Sequence, residues 1–264
     1  MTSRRWVALG VAIAAVVGAF AVYTTVAAKD AAEPLRTPAP VPILLTNEYA
    51  YEHGGAPDAV RSPEWIATSG SLFGLGDQLW SGRPDDQAPG PTSASGTDSA
   101  VLRFVSTRRD YANVKVSFAL RVMQLTETAR TPAQDHDGVH IFLRYQSEFS
   151  TYYVSVFRRD GQVIIKKKVA GGPSNGGTYF TLAAAVLNLD ANLPGTWHHV
   201  ESTAAPGDRG GVALTLRIDG HLAIDVTDRG AQAPVIAVAG RVGMRGDNCE
   251  FYVRDFRADP LVGP

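Results

Sequence analysis

An all-β fold of two packed antiparallel sheets is predicted from three features of the sequence. Short runs rich in β-branched and aromatic residues recur from residue 64 to residue 258, and turn dipeptides such as Asp160-Gly161 and Asp219-Gly220 separate several of them. No heptads, long helical periods or repeats of fixed length appear, which argues against bundles and solenoids. Alternation is cleanest over 114–122, where Val114, Val116, Phe118, Leu120 and Val122 share one face and Lys115, Ser117, Ala119 and Arg121 the other. Side chains along a strand alternate sides, so the apolar set belongs between two sheets.

The chain opens with Arg4 and Arg5, and residues 6–28 carry no charge. At about 1.5 Å rise per residue such a run crosses a hydrocarbon layer of about 30 Å. The basic flank predicts a single-pass anchor at the cell membrane with the C-terminal part outside. Ala19-Phe20-Ala21 and Val26-Ala27-Ala28 resemble signal-peptidase sites, and cleavage there would release a secreted protein. Residues 29–45 hold Pro34, Pro38, Pro40 and Pro42 and read as a semi-rigid spacer. The sandwich is expected over 46–264.

Within it, strands are predicted at 64–73, 100–106, 113–125, 139–145, 152–158, 162–169, 197–203, 211–218, 221–226, 240–245 and 250–258. Residues 135–169 form the centre, a three-strand meander. Residues 84–98 and 171–177 read as Gly/Pro/Ser-rich loops, and 183–193 as a short helical turn.

With 264 residues, 45% of them hydrophobic, the chain can build a sizeable core. A formal net charge of −1 gives no general attraction to nucleic acid, so nucleic acid is not expected as a partner. The single cysteine, Cys249, excludes an internal disulfide and is expected to be a buried small hydrophobe beside Phe251. Asp135-His136-Asp137 and Asp247-Asn248 read as turn segments, with structural calcium as the alternative; no other cofactor is implied.

Several stretches together resemble the concanavalin A-like jelly roll, the fold of laminin-G-like domains, legume lectins and many glucanases. They are Trp65 with Ser69-Gly70-Ser71-Leu72-Phe73, Asp137-Gly138-Val139-His140-Ile141-Phe142-Leu143-Arg144-Tyr145, Gly195-Thr196-Trp197-His198-His199-Val200, Ile218-Asp219-Gly220, and Gly240-Arg241-Val242-Gly243-Met244-Arg245 with Phe256. The last strand pattern also resembles the keto-disaccharide hydrolase-like branch. The resemblance implies two curved sheets whose concave face meets a polysaccharide or other glycan, and it places Trp197 in the core.

Residues projecting from the core suit that expectation. Arg121, His140, Arg144 and Lys166 are expected on the outer faces of neighbouring strands, with Phe142, Tyr153 and Trp80 as apolar platforms. Sugars offer hydroxyls and an apolar ring face, and the basic bias favours an anionic glycan. Lys166-Lys167-Lys168 has a plainer reading, as a charged strand edge that discourages aggregation. No catalytic residue is assigned. Paired carboxylates at the spacing of a retaining glycosidase are missing from the central strands, so a polysaccharide lyase using Arg144 or Arg121 with His140 and Tyr153 is the better enzymatic alternative. A protein-binding laminin-G-like module is the other.

Overall fold

In the computed structural model, which describes residues 63–70, 72–75, 77–84, 101–187 and 195–261, fourteen strands stack as two antiparallel sheets of seven. In chain order they are β1 (Trp65–Ser69), β2 (Phe73–Leu75), β3 (Gln78–Trp80), β4 (Val101–Ser106), β5 (Val114–Leu125), β6 (Gly138–Ser147) and β7 (Ser150–Val156), followed by β8 (Gln162–Ser174), β9 (Gly177–Val186), β10 (Trp197–Pro206), β11 (Val212–Ile218), β12 (His221–Asp228), β13 (Arg241–Asp247) and β14 (Cys249–Pro260). The first sheet runs β1-β4-β13-β6-β7-β8-β9 and the second β12-β11-β10-β5-β14-β3-β2. The predicted anchor (1–28) and spacer (29–45) lie outside the described residues, among which no helix is long and apolar enough to cross a membrane.

Period-two patterning builds the core as expected. Val114, Val116, Phe118 and Leu120 of β5 face Val139, Ile141 and Leu143 of β6 across the sandwich, and all seven are fully buried. Cys249 is buried in the same core, and burial pushes its thiol well above the usual range. The β11–β12 turn places Asp219 (φ 51°) and Gly220 (φ 79°) in the left-handed region, the requirement of a tight two-residue hairpin. Asn248 (φ 45°) is the single residue on which the chain passes from β13 in one sheet to β14 in the other. Its Nδ2 donates to Thr131 O at 3.0 Å and Asp137 Oδ2 at 3.1 Å. The Asp137 carboxylate also accepts from Gln134 N and pairs with Arg159, so this segment is the turn the sequence suggested.

Two local expectations fail. Residues 183–186 belong to β9, because Ala183, Ala184, Ala185 and Val186 pair in register with Ile165, Ile164, Val163 and Gln162; tertiary pairing overrides the helical preference of alanine. Residues 171–174 continue β8 as a hairpin that turns back at Asn175-Gly176.

The lysine triplet is no solvated edge either, since β9 covers β8. Lys167 points into the interior, where Nζ donates to Asp228 Oδ1 at 3.0 Å, to Asp228 Oδ2 at 2.8 Å and to Ala233 O at 2.6 Å. Tyr152 Oη donates to Asp228 Oδ2 at 2.8 Å and accepts from Ile236 N at 3.0 Å. This buried network ties β7 and β8 of the first sheet to β12 of the second. Removing one partner of a buried pair strands the other charge. Asp228→Ala is therefore expected to lower stability by about 3–5 kcal/mol, read from urea unfolding, while Lys167→Met combined with Asp228→Leu costs less than that single change.

Candidate functional site

The outer face of the first sheet carries a cleft of about 370 Å³. Its floor comes from four adjacent strands: Arg245 and Asp247 on β13, His140 on β6, Tyr153 and Ser155 on β7, and Lys166 on β8. Register explains the convergence. His140 lies opposite Arg245 on one side and Ser155 on the other, and Tyr153 opposite Lys166. Tyr179 of β9 and the β8–β9 hairpin tip, Pro173 to Asn175, form a wall, and His136 stands at the rim.

The floor is a fixed polar network. His140 Nδ1 and Ser155 Oγ are 2.8 Å apart, and His140 Nε2 lies 3.1 Å from Asp247 Oδ2 at an angle too bent for a well-formed hydrogen bond. Arg245 grips Asp247 through Nε, at 2.8 Å and 2.9 Å to the two oxygens, and through Nη2 at 2.8 Å. Burial pushes the His140 imidazole below its ordinary value, with Asp247 offsetting part of the shift, so the ring is neutral at pH 7. Burial alone would raise the Asp247 carboxyl, but Arg245 and His140 hold it well below the usual carboxylate range. The Arg245–Asp247 pair thus contributes no net charge. Lys166 is half-buried and makes no hydrogen bond or ion pair with another described residue; desolvation, with Arg158 nearby, lowers its ammonium from the ordinary value. The Tyr153 hydroxyl is buried without a well-formed hydrogen bond, and its ring packs edge-on against Tyr179 at 5.3 Å.

Of the residues singled out in the sequence, His140, Tyr153 and Lys166 meet in this cleft. Phe142 shares their face but is wholly buried beneath Tyr145 and Tyr153 and presents no platform. Arg144 leaves the face altogether. It adopts φ 50° where the β6 register slips, so alternation inverts and Tyr145 takes the outward place beside Phe142. The Arg144 guanidinium is spent on carbonyls, from Nε to Ala112 O and from Nη1 to Ile236 O, both at 2.8 Å.

Arg121 and Trp80 lie on the other sheet, on its outer face, and so cannot join the cleft. Phe73, Trp80, Tyr252, Arg121 and Trp197 stand in one cross-strand row over β2, β3, β14, β5 and β10. Trp80 lies between Phe73, tilted by 42° at 5.2 Å, and Tyr252, stacked at 6.2 Å. Arg121 is held between Tyr252 and Trp197, at 4.6 Å and 4.8 Å, and Arg254 covers Trp197 at 4.4 Å. Trp197 is therefore part of a surface ladder and not of the core, and Trp80 packs between two other rings of that ladder.

Sequence reasoning missed Ser155, Tyr179, Arg245 and Asp247. Their signal was parity on strands that pair only in the fold: β13 inserts between β4 and β6, which no local pattern reveals. Ser155, His140 and Asp247 have the composition of a nucleophile relay, yet Arg245 neutralises the acid. Ser155 also lies inside a paired strand, whose backbone N–H groups are engaged in the ladder and do not form an oxyanion hole. Among the described residues no group of three or more His, Cys, Asp and Glu side chains is placed to hold a metal ion.

No protein-family model matches the chain, and no curated protein sequence does. Solved structures do. A protein of unknown function with a galectin-like fold from Bacillus subtilis superposes with a TM-score of 0.51 at 12% identity, covering 76% of this chain and 90% of that one. The chain has a concanavalin A-like jelly-roll fold. Looser likenesses reach the potassium-bound carbohydrate recognition domain of Emp46p (TM-score 0.49, 10% identity, 82% of this chain and 99% of that one). They also reach the VIP36 exoplasmic/lumenal domain bound to Ca2+ and Man3GlcNAc (0.47, 10%, 83% and 91%). Identity this low speaks for the jelly roll alone.

The buried histidine makes stability depend on pH. Its folded-state pKa lies below the unfolded value near 6.5, so the unfolded chain takes up the proton first. Stability is full above about pH 6.5 and falls as pH drops through that value; the Asp247 contribution, full above its unfolded value of 3.8, is lost further into acid. Thermal melts between pH 8 and pH 5 should show Tm falling below pH 6.5, and His140→Gln should flatten that slope.

Proposed function

We propose that the chain is a polysaccharide-binding domain displayed outside the cell, and that its cleft on the first sheet holds an anionic glycan without cleaving it. The observation that carries this reading is the make-up of the cleft: an aromatic wall at Tyr179, a rigid floor of His140, Ser155 and Tyr153, and one cation, Lys166, that makes no direct ion pair with a described residue. An apolar ring face and equatorial hydroxyls suit the wall and the floor. A uronate carboxylate suits Lys166, on which Asp160 acts only at longer range and which makes no direct ion pair with a described residue.

One feature favours lyase chemistry as a second reading. The neutral His140 and the unpaired Tyr153 hydroxyl are the kinds of group that carry a proton, beside a cation able to neutralise a carboxylate. Against it, Tyr153 is only 4% exposed and its hydroxyl is pushed far above the usual range by burial, so proton abstraction is costly.

Affinity electrophoresis and calorimetry with polygalacturonate, alginate and a neutral glucan test both readings. Binding to a polyuronate is expected, weakening as salt is raised because part-exposed ion pairs are screened over about 8 Å. Lys166→Ala should weaken polyuronate binding about tenfold or more, Tyr179→Ala should weaken it too, and Arg121→Ala and Arg144→Gln should leave the polyuronate preference unchanged. Accumulation of unsaturated chain ends would replace the binding reading with the lyase. Failure of every glycan to bind, with a protein captured instead, would favour a protein-binding module.

A further inference from the structure

On the outer face of the second sheet, two cations share one aromatic ring. The guanidinium carbon of Arg121 lies 4.8 Å from the Trp197 ring centroid, and that of Arg254 lies 4.4 Å from the same centroid. Like charges gathered at one point repel unless a counter-ion stands near. The described residues supply little of one. Arg121 donates one hydrogen bond to a described residue, from Nη2 to Gln78 Oε1 at 3.2 Å, and its Nε is buried without a partner. Arg254 Nε is buried in the same way, and the carboxylate in its reach, Asp255 Oδ2, is 4.0 Å away on a side chain 67% exposed. Glu201 on the neighbouring β10 is already engaged by Lys115 at 3.5 Å.

Strand register assembles the pair. Arg121 on β5 stands in one cross-strand row with Tyr252 and Trp197, and Arg254 on β14 lies opposite Ala119, the adjacent outward residue of β5. The small Ala119 side chain leaves room for the arginine to cross β5 and reach Trp197 on β10. A bulge then resets the alternation of β14. The register shifts between Arg254 and Arg257, and Asp255 takes the extra place with φ 56°, a left-handed conformation that costs energy in a residue with a Cβ. Phe256 is thereby returned to the core, and Arg257 to the outer face, exposed and opposite Ser117. Arg121, Arg254 and Arg257 thus border a strip of β5 whose own outward side chains, Ala119 and Ser117, are small.

We propose that Arg121 and Arg254, held against Trp197, form a receptor for the dianionic phosphate of a phosphate monoester, separate from the cleft. The charges match: two guanidinium groups face a group that carries close to two negative charges at neutral pH. The geometry matches as well. A carboxylate is satisfied by one guanidinium fork, whereas a tetrahedral phosphate with three terminal oxygens engages two forks at once. Packing against Trp197 and Tyr252 orders the Arg121 side chain before any ligand arrives, so binding loses less rotamer freedom. The receptor lies on the second sheet and Lys166 on the first, so occupancy of one site leaves the other open.

The test uses the full chain at neutral pH and low salt, with methyl phosphate as the probe and phosphorus NMR line broadening and calorimetry as the measurements. Methyl phosphate is expected to bind, and dimethyl phosphate, which carries a single charge, to bind about tenfold or more weakly. Arg121→Gln and Arg254→Gln each weaken methyl phosphate about tenfold or more. Arg254→Lys, which keeps the charge over Trp197 and loses the fork, weakens it less, and Lys166→Ala leaves it unchanged. Far-UV spectra and melting of these variants stay those of the parent chain. Inorganic phosphate carries the same dianion: tighter binding of it assigns the receptor to the free ion, and tighter binding of methyl phosphate assigns it to an ester. Absence of methyl phosphate binding, binding indifferent to both glutamine variants, equal binding of the diester, or loss of binding in Lys166→Ala would each overturn the receptor.

Discussion

The arrangement of the cleft depends on one buried ion pair. Lys167 lies in the interior with its ammonium on both oxygens of Asp228 and on a main-chain carbonyl. On a strand, placing one residue inward fixes its neighbours outward. Lys166 and Lys168 are therefore turned to the outer face, where Lys166 meets the cleft and Lys168 stands over the rings of Phe149 and Tyr179. A register slip of one residue would put Lys167 outside and two ammonium groups inside with a single carboxylate between them, an arrangement with no means of satisfying both charges. The pair thus specifies which lysines the surface sees, whatever its net worth to stability.

Much of this was legible in the sequence, and the reasons are local. The strands at 113–125 and 139–145, the Asp219-Gly220 turn and the burial of Cys249 follow from alternation, turn chemistry and apolarity, and each is found. Three of the residues picked for the site meet in it because His140, Tyr153 and Lys166 lie on consecutive antiparallel strands, whose pairing a meander dictates. What escaped was non-local. Arg144 was placed by continuing an alternation that a left-handed residue interrupts, and a bulge at a non-glycine leaves no mark in the pattern. Arg121 is on the outward side of its strand as expected, but outward from the other sheet, since alternation distinguishes in from out and not one sheet from its partner. The alanines of β9 read as helix because their partner, the strand predicted at 162–169, lies across a hairpin whose tip, 171–177, reads as a loop.

The electrostatics of the cleft come from subtraction. Five acidic, basic or histidine side chains line it, yet Arg245 cancels Asp247, and His140, desolvated and bonded to Ser155, stays neutral. His136 stands at the rim, in the turn leading into β6. Lys166 remains as the fixed charge on the floor that makes no direct ion pair with a described residue, Asp160 acting on it at longer range. A buried pair beside a lone cation is a more selective environment than a row of cations, because the floor offers orientation without strong non-specific attraction. That is consistent with a chain whose overall charge is −1.

The two outer faces divide the work by how they treat their aromatic rings. On the second sheet each ring in the row packs on a neighbouring ring or under an arginine, so much of its surface is used inside the protein. The ladder spans five adjacent strands. On the first sheet Phe142 and Tyr145 are packed away, but Tyr179, 36% exposed, keeps free surface at the side of a real depression. That ring stands on β9, so any change in how the strand pairs with β8 alters the wall of the cleft.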